Sequence, residues 1–292
     1  MTIKLIAMDM DGTLLTSDNK ILPETKAALL AIQATGVRLV LASGRSYTKL
    51  MEYAKELEMD RYAGYLIEIN GTAIYDLQEN KRYVKKLLNA QQIHEIFAYF
   101  RQWDVEIIGH VDDGMYDYNP PAILNEKKIY KKAHHLSDDY PLTGGAFHFI
   151  ADNRKGYPRL TYINNADEIV EELNKISVTY HEEIIEKISI QAKQELGKKY
   201  WIGKTSPKWL EIMLPGITKA SGLEDIAQRS GISLDEMMAF GDGENDIAML
   251  QAVRVGIAMG NAMDSVKIKA NECTQSNQDN GIANALKKHF KI

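Results

Sequence analysis

Short apolar runs, each cut off by a polar residue and separated by stretches with helical spacing, constrain this chain more than any other feature. "IKLIAM" (3–8), "VRLVLA" (37–42), "YLIEI" (65–69), "MMAF" (237–240) and "VGIAM" (255–259) read as strands covered on both faces rather than half-exposed ones. Such strands belong to parallel sheets, whose members need long crossover connections. Helices are predicted in those connections. One starts near Pro23, carries Ala27, Leu30, Ile32 and Ala34 and stops at Gly36; others span Ser46 to Leu57, Leu223 to Arg229 and a segment from about Asn245. Alternation of this kind predicts an α/β fold, a doubly wound parallel sheet with a Rossmann-like core and right-handed crossovers.

The middle of the chain follows another pattern. "RYVKKLL", "VEIIGHV", "HFIA", "RLTYIN" and "KWLEIML" read as strands, with helical stretches at 90–102, 166–175 and 181–196. This predicts an inserted α+β cap domain of roughly 130 residues, an ordinary domain size. The expected boundaries are 1–82 for the first part of the core, 83–211 for the cap and 212–292 for the second part of the core.

Composition narrows the function. In 292 residues, 45% are hydrophobic, the net charge is −5 and acidic and basic residues are interleaved, which argues against a nucleic-acid or membrane-surface binder. The single cysteine, Cys273, excludes an intrachain disulfide and is read as a small core residue in a reducing compartment. No signal peptide is read at the start, and no apolar run approaches the roughly 20 residues that span a bilayer. A soluble cytoplasmic protein is expected.

In open parallel sheets, ligands bind beyond the carboxyl ends of the strands. There Asp9 and Asp11 follow the first strand, Ser43 and Arg45 the second, Asn70 the third and "GDGEND" (241–246) the "MMAF" strand, while Lys219 sits at a predicted helix start. Asp9, Asp11, Asp242 and Asp246 would crowd four carboxylates into one cleft, a conflict that a divalent cation resolves. All-oxygen ligands suit Mg²⁺, which keeps positions open for phosphate oxygens. Lys219 and Ser43 then make sense if the substrate is an anion bridging metal and lysine, and phosphate fits. One carboxylate facing phosphorus can act as a nucleophile, and a second, two residues on, can protonate the leaving oxygen.

Taken together, "DMDGTLL", "LASGR", Lys219 within "GITKASGL" and "GDGENDIAML" resemble the four ordered motifs of the haloacid dehalogenase superfamily. The large insert and "NGTAIY" resemble its Cof-like (IIB) subfamily of sugar- and cofactor-phosphate phosphatases. The resemblance implies that Asp9 is nucleophile and Mg²⁺ ligand, and that Asp11 is general acid/base and binds the metal through its carbonyl. It further implies that Ser43, with the Met10 and Gly44 backbone, holds the phosphoryl oxygens, that Lys219 neutralises nucleophile and phosphate, and that Asn245 lies near the phosphate. Asp242 is implied as a direct metal ligand, and Asp246 as a ligand directly, through water, or as an orienter of loops. The expected activity is Mg²⁺-dependent hydrolysis of small phosphomonoesters through an aspartyl-phosphate.

The rival readings are a phosphomutase with similar motifs and a phospho-aspartate signalling or binding protein. The insert and the second aspartate argue against the signalling reading. Outside the motifs, Asn70 with Gly71 is read as a turn former, His134 and His135 as an exposed helix end, and Trp103, Tyr116 and Tyr118 as core or hairpin residues. Arg45 is read equally as a substrate contact or a structural ion pair. The stretch 111–120, "VDDGMYDYNP", is read as the loop that sets specificity, its acidic and aromatic residues selecting a polar leaving group, with the natural substrate left open.

Overall fold

The computed structural model describes residues 2–140, 142–143, 150–151 and 159–290. The chain forms two compact units, Met1–Lys85 with Ile217–Ile292, and Lys86–Gly216. In the first unit the chain runs β1 (Leu5–Met8), α1 (Pro23–Ala34), β2 (Arg38–Ala42), α2 (Tyr47–Glu56), β3 (Tyr65–Glu68), β4 (Ala73–Asp76) and β5 (Lys81–Val84). The second unit contributes α3 (Ala90–Arg101), β6 (Glu106–His110), β7 (Gly114–Tyr118), α4 (Pro121–Ala133), β8 (Leu142–Thr143), β9 (Ile150–Ala151), β10 (Arg159–Ile163), β11 (Lys175–Thr179), α5 (Glu182–Leu196), β12 (Trp201–Ser206) and β13 (Trp209–Met213). The first unit then resumes with α6 (Lys219–Ser230), β14 (Met237–Gly241), α7 (Ile247–Ala252), β15 (Val255–Ala258), α8 (Asp264–Lys267), β16 (Glu272–Cys273) and α9 (Gly281–Phe290).

Its sheet has the order β16-β15-β14-β1-β2-β3-β4-β5. From β16 to β3 every pairing is parallel, and β3, β4 and β5 pair antiparallel. All four residues of β1 are wholly buried between helices, which is why that strand reads as a continuous apolar run. The chain winds outward from β1 through β2 and β3, and returns to its other side as β14. Asp9 and Asp242 therefore emerge side by side, with Met8 paired to Phe240, at the point where the winding reverses and such sheets take ligands.

The second unit is built on a six-stranded sheet, β10-β7-β6-β11-β13-β12. The fold is α/β, with a parallel doubly wound core sheet interrupted by an α+β segment.

Several local expectations are corrected. "RYVKKLL", expected in the inserted segment, contributes β5 to the core sheet through its pairing with β4, whereas "KWLEIML" contributes β13 to the inserted unit's sheet as expected. The chain accordingly passes between units at 85/86 and 216/217, a few residues beyond 82 and 211. The helix expected over 166–175 is only a single 3₁₀ turn, Ala166–Glu168, since the segment ends by entering strand β11. Half of 111–120 is strand β7, buried along its length, so it is no free loop. Tyr116 and Tyr118 are buried there and Trp103 is half-buried, while His134 and His135 are exposed at the end of α4. Cys273 is exposed, because β16 is the outermost strand of its sheet. The "HFIA" strand lies partly outside the described residues. Among the described residues, no helix is long and apolar enough to cross a membrane.

Candidate active site

Asp9 follows β1 with its N–H donated to the Phe240 carbonyl at 3.0 Å, so the neighbouring strand fixes its backbone. Its Oδ1 accepts from the Lys219 ammonium at 2.5 Å, and Lys219 donates equally to Asp246 Oδ1 at 2.6 Å. Lys219 is the first residue of α6, whose start is closed by a reciprocal cap between Thr218 and Ser221. It has no exposed surface. Burial works hardest against its charge, but Asp246 and Asp9 together outweigh it and hold the ammonium above its ordinary pKa.

The other oxygen of Asp246 accepts the backbone N–H groups of Asp242 and Gly243, each at 3.0 Å. Asp246 thereby shapes its own loop and pins the lysine with one carboxylate. Asp242 is held at Oδ1 by the Thr13 hydroxyl at 2.7 Å. Gly12, at φ +83°, makes this approach possible, since a Cβ there would lie 2.3 Å from Asp242 Oδ2. The Gly12 carbonyl accepts from Asn261 Nδ2 at 2.7 Å.

Asp9, Asp242 and Asp246 each present a carboxylate oxygen within 4.8 Å of the others. Three carboxylates against one ammonium leave a formal charge of −2 when all are ionised, the charge one divalent cation cancels. Burial pushes the Asp9 carboxyl well above its ordinary range; Lys219 opposes the shift, and Asp246 and Asp242 add to it. Burial likewise pushes Asp242 to about 6, opposed by its Thr13 bond and reinforced by Asp246. Carboxylates whose charge is disfavoured by burial and by one another, among oxygen donors alone, fit a hard divalent cation such as Mg²⁺.

The fourth carboxylate takes another direction. Asp11 is 59% exposed at its side chain and forms a two-pronged ion pair with Arg45, Nε to Oδ2 at 2.9 Å and Nη2 to Oδ1. Arg45 Nη2 also donates to Asn19 Oδ1 at 3.1 Å. The expected crowding of four carboxylates is therefore corrected to three, because a guanidinium offers Asp11 a matching fork. Arg45 is a structural ion pair in this arrangement.

Ser43 is 2% exposed, and its hydroxyl oxygen accepts the Arg45 N–H at 3.1 Å, which leaves its O–H to donate. Met10 is buried, and Gly44 lies in the Ser43–Arg45 loop. Asn245 Nδ2 donates to Asn70 Oδ1 at 3.0 Å.

Sequence reasoning missed the work of Thr13, Asn261 and Asn70. Thr13 stands next to Gly12 in the first motif and was within reach of inference. Asn70 stands at the tip of the third strand and is legible by that position, while the spacing of Asn261 carries no such signal.

A family model of haloacid dehalogenase-like hydrolases matches residues 6–286. The chain is 28% identical over 285 residues to the 5-amino-6-(5-phospho-D-ribitylamino)uracil phosphatase of Bacillus subtilis, covering 98% of this chain and 95% of that one. It is 30% identical over 267 residues to the HMP-PP phosphatase of Klebsiella pneumoniae, covering 90% and 86%. The solved structure of a subclass IIB sugar phosphatase of the same superfamily superposes with a TM-score of 0.75 at 24% identity, over 99% of each chain. A match that runs from β1 into α9 establishes that this chain belongs to the haloacid dehalogenase-like hydrolases, with the fold of their Cof-like subclass IIB members.

Proposed function

We propose that the protein is a Mg²⁺-dependent phosphatase of small phosphomonoesters, working through a phosphorylated Asp9. The observation that carries this reading is the placement of Lys219 between Asp9 and Asp246, beside a three-carboxylate cluster suited to one divalent cation. Asp9, Asp242 and the Asp11 carbonyl are the groups we assign to hold Mg²⁺, with Asp246 acting on the loop and the lysine. Bound there, the cation would neutralise the carboxylates and the phosphate oxygens it faces.

Asp9 then attacks phosphorus and the bond to the leaving oxygen breaks, with Lys219 and the Ser43 hydroxyl holding the phosphoryl oxygens. The leaving alkoxide takes a proton from Asp11 and departs as an alcohol. Water next gives a proton to Asp11 and its oxygen adds to phosphorus, which releases Asp9 and inorganic phosphate. Serving as acid requires Asp11 to give up at least one bond to Arg45 and to carry a proton, taken from solvent before the first turnover and from the attacking water thereafter, so the ion pair holds the resting position. Relatives named for a flavin-precursor phosphate, HMP-PP and pyridoxal phosphate support a phosphorylated cofactor or sugar as substrate. The test is phosphate release from a panel of phosphomonoesters with and without Mg²⁺. Isomerisation of a sugar phosphate without phosphate release would instead indicate a mutase.

A further inference from the structure

Between β3 and β4 the backbone holds three successive residues at positive φ: Ile69 at +49°, Asn70 at +54° and Gly71 at +104°. A β-branched residue is the least suited of all to that region. Conformations of this kind persist only where the surroundings over-determine them, and here the surroundings are the candidate site. The Ile69 N–H donates to the Arg45 carbonyl at 3.0 Å and the Asn70 N–H to the Ser43 carbonyl at 2.8 Å, so the turn carries the loop after β2. The Asn70 carboxamide accepts from Asn245, in the loop after β14. Gly71 lies against Thr218, whose carbonyl oxygen would be 2.1 Å from a Cβ at position 71, and Thr218 caps the helix that begins with Lys219. Asn70 is 1% exposed, out of reach of solvent.

We propose that Asn70 is a positioning residue of the phosphoryl site. Its carboxamide oxygen engages one N–H of Asn245 and so aims the other, while its backbone N–H fixes the loop bearing Ser43. The proposal rests on the phosphatase reading for its substrate, though not for its geometry. Asparagine is among the few residues other than glycine that accept positive φ, so Asn70→Gly removes the carboxamide and leaves the backbone its conformation.

The experiment compares wild type, Asn70→Gly, Asn245→Ala and the double variant. It reads kcat and KM for p-nitrophenyl phosphate with Mg²⁺, calorimetric affinity for inorganic phosphate, Mg²⁺ affinity and the thermal midpoint. Asn70→Gly is expected to lower kcat about 10–100-fold and weaken phosphate binding, with Mg²⁺ affinity and midpoint unchanged. The double variant is expected to be no worse than Asn245→Ala alone, because one residue acts through the other. Wild-type kcat and phosphate affinity in Asn70→Gly, or additive losses in the double variant, overturn the proposal. If Asn70→Gly does not fold, the wild-type protein decides: one Asn245 side-chain proton should be protected from solvent exchange, and two freely exchanging protons overturn the proposal. If the wild type hydrolyses no phosphomonoester, the phosphatase reading falls, while phosphate affinity and its coupling still report on Asn70.

Discussion

Lys219 occupies a position that burial and the helix dipole both disfavour, fully enclosed at the first turn of α6. It is tolerable because two carboxylates meet it at hydrogen-bonding distance. The complementary residue is Asp9, and Asp9→Asn, almost isosteric, should lower phosphate release by on the order of 10⁴-fold or more while the fold persists, checked by phosphate assay alongside circular dichroism. Retained turnover would remove Asp9 as nucleophile. The raised acids give a pH dependence whose sign is set. A cation must displace the protons they hold, so Mg²⁺ affinity should fall about tenfold per pH unit for each proton displaced as pH drops below about 6, the value to which Asp242 is pushed. Titration calorimetry at pH 5 and pH 7 measures it, and equal affinities would contradict it. In metal-free protein the same group has the opposite effect on stability. Its folded pKa lies above the unfolded one, so its contribution is present below about pH 4 and lost as pH rises through about 6.

The segments that deliver these side chains are short and tightly constrained. The turn from Asp9 to Thr13 must send Asp9 and Asp11 in different directions and still bring Thr13 to Asp242, which the positive φ of Gly12 permits. Gly12→Ala should strain that turn and displace the Asp242 carboxylate, with loss of at least about tenfold in Mg²⁺ affinity. Calorimetry of the variant is the measurement, and wild-type affinity would show that Asp242 has another place to go. Elements of this kind are readable in sequence where a local rule governs them. Strands β1, β2, β14 and β15 announce themselves as apolar runs, and α1 by Pro23 and its spacing. The segment 166–175 misleads because its polar, acidic composition mimics an exposed helix, while its true constraint is the need to reach β11. Strand β5 misleads for a related reason: it is basic and exposed at both ends, and only pairing with β4 makes it part of the core sheet.

The chain crosses between its two units at 85/86 and 216/217, and the cluster of Asp9, Asp242 and Asp246 lies wholly in the unit that contains both chain ends. Calorimetric scans should therefore show Mg²⁺ raising the unfolding transition of that unit, by about 2.7 kcal/mol at a hundred times the dissociation constant, with the transition of Lys86–Gly216 left in place. EDTA should reverse the shift, and a single transition moving as a whole would show that the two units unfold together. A parallel sheet with acids at its strand tips was legible in the residues themselves, because burial on both faces and the break to polar residues at strand ends are local properties. The pairing of Asp11 with Arg45 and of Asn70 with Asn245, and the exposure of Cys273, were not. Each depends on which strand lies beside which and in what register, and so on contacts between segments far apart in the chain that no local pattern encodes.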